Sequence, residues 1–353
     1  MKGLVLEGGG AKGAYQAGAI KALNKRKIYF DAVVGTSIGS VNAAFYASKK
    51  FDKLYQLWLS TGSKVLFGIE EEMLNNLANG NFSIPNLKKG LESVIKIVKN
   101  EGIDTTNMRA FLNKHINEKK LRSSDIDFGL VTFNISEMKP VEIYKADIPE
   151  GKITDYIMAS SYLPFFKFEK IIDNKYYLDG GIYSQCPISM FETKDYKEIY
   201  VIKAWRSKLR YKAKKGVKVH VITPKEDLKS IMAFTHELAE YRMNLGYYDT
   251  LKYIDKLDGN KYYFKPYNEY YYKHLFDTTT FKRMTKKYGN PLLIKNNKEF
   301  IISMIEKVCM EFKINRFKVH DMPYLITKLK YKMVNNKDNH YYDFIKKIKV
   351  DFE

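Results

Sequence analysis

Apolar positions in the first fifty residues fall into two short continuous runs, each followed by a longer stretch with helical spacing. Gly3-Leu4-Val5-Leu6-Glu7 predicts a buried strand. A helix pattern runs from Ala14 to about Leu23, and Ala14, Ala17, Gly18 and Ala22 give it small side chains suited to close packing on a sheet. Ala32-Val33-Val34 predicts a second strand, and Val41, Asn42, Ala43, Ala44 and Ala47 a second helix. Strand–helix alternation of this kind predicts an α/β core, a mainly parallel sheet between helices.

Residues 48–125 read as mostly helical, at Asp52–Leu59, Glu70–Leu77, Asn86–Lys99 and Thr106–Ile116, the last capped by Asp104-Thr105-Thr106. Leu66, Phe67, Met73, Leu77 and Phe82 in this region read either as ordinary core or as a lid. Strands follow at Ile126–Asn134 and Val141–Ala146, then a helix at Ile153–Tyr162 ended by Pro164. Phe168–Ile172 and Lys175–Leu178 predict a hairpin about Asp173-Asn174, and Glu198–Ala204 and Val217–Thr223 two further strands. Ile231, Phe234, Leu238, Tyr241, Leu245 and Tyr248 recur at threes and fours, predicting a helix from Leu228 to about Leu257, capped by Asp227 and carrying His236 on its face. Helices are expected in the tail at Lys298–Phe312, Met322–Met333 and Asp343–Ile348.

Chemistry enters where these strands end. Gly35-Thr36-Ser37-Ile38-Gly39 joins a strand to a helix by a sharp turn, which exposes the Ser37 hydroxyl at a helix N-terminus. Gly8-Gly9-Gly10-Ala11-Lys12-Gly13 joins the first strand to its helix and leaves backbone N–H groups bare, as the oxyanion of an attacked ester requires. Lys175-Tyr176-Tyr177-Leu178 ends in Asp179-Gly180-Gly181, an aspartate able to face a cleft.

These three blocks, with Ala159-Ser160-Ser161-Tyr162-Leu163-Pro164, occur in the order and spacing of the patatin-like phospholipases. The resemblance runs from residue 1 to about 256, where Gly246-Tyr247-Tyr248-Asp249 resembles the family's closing helix. It implies a three-layer α/β/α patatin-like domain over residues 1–256, with 48–125 as a variable cleft wall or lid, and a basic helical extension over 257–353. It implies also a Ser–Asp dyad without a metal: Ser37 as nucleophile, Asp179 as base, and the amides of Gly8, Gly9, Gly10 and Ile38 as oxyanion hole. Gly13, Gly35, Gly39, Gly180 and Gly181 would shape the elbow and loops. Lys12 reads either as a phosphate-binding cation beside that loop or as a solvated lysine. One departure stands out: the asparagine common in the family after Asp-Gly-Gly is absent from Ser184-Gln185-Cys186-Pro187, which leaves the support of that loop open.

Composition narrows the alternatives. A length of 353 residues, 45% of them hydrophobic, fits one large α/β domain with an extension. Met1-Lys2 runs directly into the first strand and no run of about eighteen apolar residues exists, so neither a signal peptide nor a membrane span is expected. Cys186 and Cys309 make neither a disulfide framework nor a metal cluster, and a cytoplasmic place, peripheral to a membrane, fits. The net charge of +20 reads either as attraction to anionic lipid surfaces or as plain compositional bias. No nucleic-acid-binding signature accompanies it. Tyr262-Tyr263-Phe264 and Tyr270-Tyr271-Tyr272, set among lysines, read either as a membrane interface or as part of a packed helical extension.

Three rivals were weighed. Gly8-x-Gly10-x-x-Gly13 fits a dinucleotide fingerprint, but the second strand ends in the serine elbow where an acidic residue is needed. A Ser-His-Asp triad lacks its histidine, since none of the six histidines lies in a recognisable motif. A retired hydrolase serving as a lipid-binding scaffold stays open. Phospholipid or lysophospholipid esters are the expected substrates, and the oligomeric state is left open.

Overall fold

A central strand with apolar residues on both faces needs cover on both faces, and β1 (Lys2–Leu6) has it: Gly3 to Leu6 are buried. The computed structural model describes residues 1–68, 102–192, 194–211, 213–289 and 296–349. The helices expected at 70–77 and 86–99, and Met73, Leu77 and Phe82, lie outside them. The chain divides into two compact units, Met1–Thr250 and Leu251–Glu353.

In the first unit, β1 lies between β2 (Ala32–Thr36) and β6 (Glu198–Ile202), parallel to both. With β3 (Asp127–Asn134), β4 (Lys139–Tyr144) and β7 (Lys218–Ile222) the order is β4-β3-β2-β1-β6-β7. Only β4 and the short β5 (Tyr177–Asp179) run antiparallel, both against β3. Helices cover both faces of this mixed, mostly parallel sheet, the α/β layering that the strand–helix alternation predicts. Side chains alternate with a period of two: Val5, Ala32, Val34, Val131 and Val201 share one cluster with Ile188, Met190 and Phe191.

The helix after β1, α1 (Gly13–Lys25), is buried without a break from Gly13 to Ile20. Its glycine does not serve the sheet. A Cβ on Gly18 would lie 1.9 Å from the Met243 carbonyl oxygen, and one on Gly246 1.9 Å from the Tyr15 carbonyl oxygen. Two helix backbones therefore meet at Gly18 and Gly246. The partner helix, His236–Asp255, starts later than its periodicity predicts. Carbonyls that helical bonding would need are taken by distant donors: Ile231 O accepts the Ala11 N–H at 2.7 Å, and Leu228, Ser230 and Ala233 accept the buried Arg242 guanidinium at 2.7–2.9 Å. Asp227 accepts from Lys229 N at 3.0 Å, closing a turn and capping no helix. The predicted hairpin also differs, because Tyr177–Asp179 pairs with β3, while Phe168–Ile172 keeps one isolated bridge, Ile172 to Lys175.

The second unit has its own core, in which Ile301, Ile305 and Val308 of helix Asn297–Glu311 meet Leu325 and Ile326 of Met322–Met333, Phe344 and Tyr272. Helices Glu269–His274 and Thr278–Tyr288, not predicted from periodicity, are capped by Asn268 and Asp277. Tyr262, Tyr263, Phe264 and Tyr272 are buried and so belong to this packed extension, while Tyr270 is exposed. Among the described residues no helix is long and apolar enough to cross a membrane.

Gly18→Ala tests the helix crossing. Alanine is the better helix former by about 1 kcal/mol, yet its methyl group must displace backbone. We expect a net loss of about 2 kcal/mol in urea unfolding, and unchanged or raised stability would show that the two backbones do not meet there.

Candidate active site

One edge of β3 is shared by two strands. β2 pairs with it as far as Thr36 opposite Val131, and β5 takes over at the next position, with Asp179 opposite Thr132. β2 runs parallel to β3 and β5 antiparallel, so they meet carboxyl end to carboxyl end. The residue after Thr36 is Ser37, and thus residues 142 positions apart in sequence become neighbours.

Both chains must leave the sheet here. β2 does so at Ser37, whose φ of 56° and ψ of −131° are rare for a residue with a side chain and cost about 1–3 kcal/mol. Helix α2 (Ile38–Ala47) starts immediately. A Cβ on Gly35 would lie 2.3 Å from Gly39 backbone, and one on Gly39 2.2 Å from the Leu6 carbonyl oxygen, so the bend needs both glycines. Hydrogen bonds hold the strained residue. Its N–H donates to Ser160 Oγ at 3.0 Å, that hydroxyl donates to Val131 O at 2.7 Å, and Ser40 Oγ donates to Ser37 O at 2.7 Å. Ser160, at the end of helix Ile153–Ser160, thus ties the elbow to β3.

Asp179 leaves β5 into a single 3-10 turn, Gly180–Ile182, and its Oδ1 accepts the Gly181 N–H at 2.7 Å. Its Oδ2 is buried and has no partner in strict hydrogen-bond geometry. Burial raises the carboxyl pKa to about 6, against the opposing pull of the nearby Ser37 hydroxyl and the Gly181 amide. Beyond the turn, backbone carbonyls give the support in question after Asp-Gly-Gly: Ser184 O accepts Thr36 Oγ1 at 2.7 Å and Gln185 O accepts Gly8 N at 2.8 Å.

That last bond corrects the expected ring of four amides. The Gly8 N–H is occupied, whereas those of Gly9, Gly10 and Ile38 have no partner among the described residues. Gly13 begins α1, and its carbonyl accepts Asn42 Nδ2 at 3.0 Å. Lys12 is no solvated loop lysine. It is 5% exposed, its ammonium lies 3.5 Å from the centre of the Trp205 ring, and burial lowers its pKa. Among the described residues no group of His, Cys, Asp and Glu is placed to hold a metal ion.

Beside Ser37 opens an apolar pocket whose wall takes in Gly10, Ile38, Val41, Phe45, Leu57 and Trp58. Leu66 and Phe67, weighed as core or lid, line it, as do Ser161, Met232 and Phe234. A buried polar network not legible in the sequence stiffens the wall. Trp58 Nε1 donates to Asn42 Oδ1 at 3.0 Å, Asn42 Nδ2 to Gln16 Oε1 at 2.9 Å, and Gln16 Nε2 to Glu7 O at 2.6 Å. Glu7 in turn pairs with Lys203 at 2.7 Å and accepts the Ala204 and Trp205 amides. Each of these residues is a plain polar position inside an apolar pattern, and only the run of small residues in α1 and α2 hinted at so tight a packing.

Comparison with known proteins bears on the family of the chain. The sequence profile described as "Patatin-like phospholipase" matches residues 4–192, more than half of the chain. A lysophospholipase nte1 of Aspergillus terreus is 58% identical over 45 residues, which make up 13% of this chain and 3% of that protein. A putative patatin-like phospholipase domain-containing protein of Caenorhabditis elegans is 50% identical over 46 residues, 13% of this chain and 4% of that one. The chain thus spans only a few per cent of the length of these curated relatives. Among solved structures, VipD from Legionella pneumophila aligns at a TM-score of 0.41 and 14% identity, covering 95% of this chain and 80% of that one. The type III effector ExoU aligns at a TM-score of 0.34 and 13% identity, over 97% and 73%. Assignment rests on the profile match, which covers the glycine loop, the elbow and the aspartate: the chain belongs to the patatin-like phospholipase family.

Proposed function

We propose that this chain is a serine acyl hydrolase that cleaves fatty-acyl esters of phospholipids or lysophospholipids. The observation that carries the reading is the meeting of Asp179 with Ser37, which lines an apolar pocket together with Gly10 and Ile38, whose amides have no partner among the described residues. The lysophospholipase named among the relatives favours the same substrate class.

The chemistry follows from the placement. Asp179 takes the hydroxyl proton as Ser37 Oγ attacks the ester carbonyl carbon, and the electron pair of the C=O moves to oxygen, where the Gly9, Gly10 and Ile38 amides receive it. Collapse breaks the bond to the leaving alcohol, which takes the proton from Asp179. Water then attacks the acyl-serine, gives its proton to Asp179, and restores Ser37 as the fatty acid leaves. An aspartate with a pKa near 6 is a stronger base than a free one, and burial supplies that shift. Lys12 faces an aromatic ring in a buried position, so its part is to hold the glycine loop, and phosphate contact falls to other cations. The enzyme works from the cytoplasmic face of an anionic membrane, to which its net charge of +20 draws it.

Three outcomes test this. Ser37→Ala is expected to abolish turnover of a phospholipid ester and labelling by a fluorophosphonate. Turnover kept by that variant would sink the mechanism, and wild type that neither turns over ester nor takes the label would favour the lipid-binding scaffold. For wild type, kcat/KM should rise with pH through about 6 and level above it, since only the ionised Asp179 accepts a proton. A flat profile between pH 5 and 8 would exclude that base.

Stability gives an independent reading of the same carboxylate. Its folded pKa lies above the ordinary 3.8, so charging it costs folding energy that is absent below about pH 4 and complete above about pH 6. Asp179→Asn should therefore remove turnover and raise stability at pH 8 by roughly 2–3 kcal/mol, with the gain vanishing near pH 4. Binding to vesicles of anionic lipid should weaken steeply as salt rises, and salt-independent binding would refute the electrostatic part.

A further inference from the structure

Ser160 and Ser161 are adjacent, identical and buried, and the fold treats them in opposite ways. The Ser160 hydroxyl accepts from Ser37 N and donates to Val131 O, so both its capacities are used. The Ser161 hydroxyl has no partner among the described residues. Ser161 is 5% exposed, and its Oγ is buried. A buried hydroxyl without a bond is destabilising, and proteins seldom keep one without a use for it.

Its surroundings indicate that use. Ser161 lies in the wall of the apolar pocket, together with Ser37, Ile38 and Gly10. Asn42, another polar residue of that wall, has its amide fully occupied by Gly13, Gln16 and Trp58. Hydrocarbon cannot satisfy a hydroxyl, so a fatty chain filling the pocket leaves Ser161 unbonded along its length. An acyl ester carries its oxygens only at the scissile end. Ser161 is one residue from the group that holds the Ser37 amide, and Tyr162 O, one residue farther on, accepts the Asp179 N–H at 2.7 Å. Ser161 thus lies between the residue that holds the nucleophile and the one that holds the base, and lines the same pocket as Ser37.

We propose that Ser161 is a further catalytic residue, whose hydroxyl donates a hydrogen bond to an ester oxygen of the bound acyl group. The same contact ranks substrates, because it requires an oxygen at the scissile end and gives nothing to the rest of the chain. The proposal rests on the acyl-hydrolase reading and deepens it. Asp179 Oδ2 is in the same condition, buried at the site and without a partner. Both oxygens are left for the substrate and the nucleophile to complete.

Ser161→Ala separates this from a structural role, with turnover of saturated acyl esters and thermal unfolding read on one preparation. Loss of a bond made to the reacting ester should lower kcat/KM about tenfold to a hundredfold. Removing a hydroxyl with no partner inside the protein should leave the Tm unchanged or raise it. Ser160→Ala is the comparator and should lose both activity and Tm, since it strands the Ser37 amide. Wild-type kcat/KM in Ser161→Ala would overturn the proposal. So would a fall in Tm matching that of Ser160→Ala, or a loss confined to acyl chains that carry their own hydroxyl. Failure of the hydrolase reading shows separately, as turnover that survives Ser37→Ala.

Discussion

Hydrogen bonding along one edge of β3 constrains everything near the site. An edge can serve only one neighbour at each position, and here it passes from β2 to β5 between Val131 and Thr132. Strands pair about 4.8 Å apart, so two strands that meet on the same edge end almost in line. Neither chain can continue, and both must turn out of the sheet at once. The turns are tight because the space is shared: Gly180 lies against the Val131 carbonyl, and Thr132 Oγ1 donates to Leu178 O at 3.0 Å. The strained backbone at Ser37 follows from this crowding, and the ladder on either side holds it.

Two buried carboxylates show how differently the fold treats structure and chemistry. Glu7, at the end of β1, has a lysine ammonium and two backbone amides around it, and nothing more can bind. Asp179, at the end of β5, has one amide on Oδ1 and only the nearby Ser37 hydroxyl to act on the carboxylate besides. On the proposed reading, the incomplete shell is what keeps the base strong.

Legibility in the sequence follows the range of the interactions. β1, β2, α1 and α2 form from local apolar runs and turn chemistry, and their positions could be read to within a residue or two. Met322–Met333 appears with both ends as expected. Residues 228–235 carry an apolar spacing fit for a helix, yet Arg242 and Ala11 take their carbonyls, and no local pattern reveals a donor that arrives from elsewhere. Thr278–Tyr288 was missed for the opposite reason, being so polar that its Asp277 cap is its clearest signal. In the candidate site, strand ends and glycines mark Ser37 and Asp179 in the sequence, while their meeting on one edge of β3 has no local signal. The Gly8 amide was misjudged, because a run of glycines does not say which N–H a neighbouring loop will occupy.

On the proposed reading, the direction in which a substrate enters follows from where polarity is concentrated. Val41, Phe45, Leu57, Trp58 and Phe67 make the body of the pocket, and the same wall takes in Ser37, the amides of Gly10 and Ile38 and the hydroxyl of Ser161, these last three without partners among the described residues. Each methylene that moves from water into such a body gains about 0.8 kcal/mol, so a fatty chain is drawn in along its whole length. On the proposed reading a charged headgroup, for which the described residues of that apolar wall offer no compensating partner, stays outside. Burial of the chain therefore fixes the ester between the two, and binding energy from the unreactive part of the molecule orients the part that reacts. On the proposed reading, the hydrophobic effect aims the substrate and the meeting of β2 with β5 supplies the groups it is aimed at.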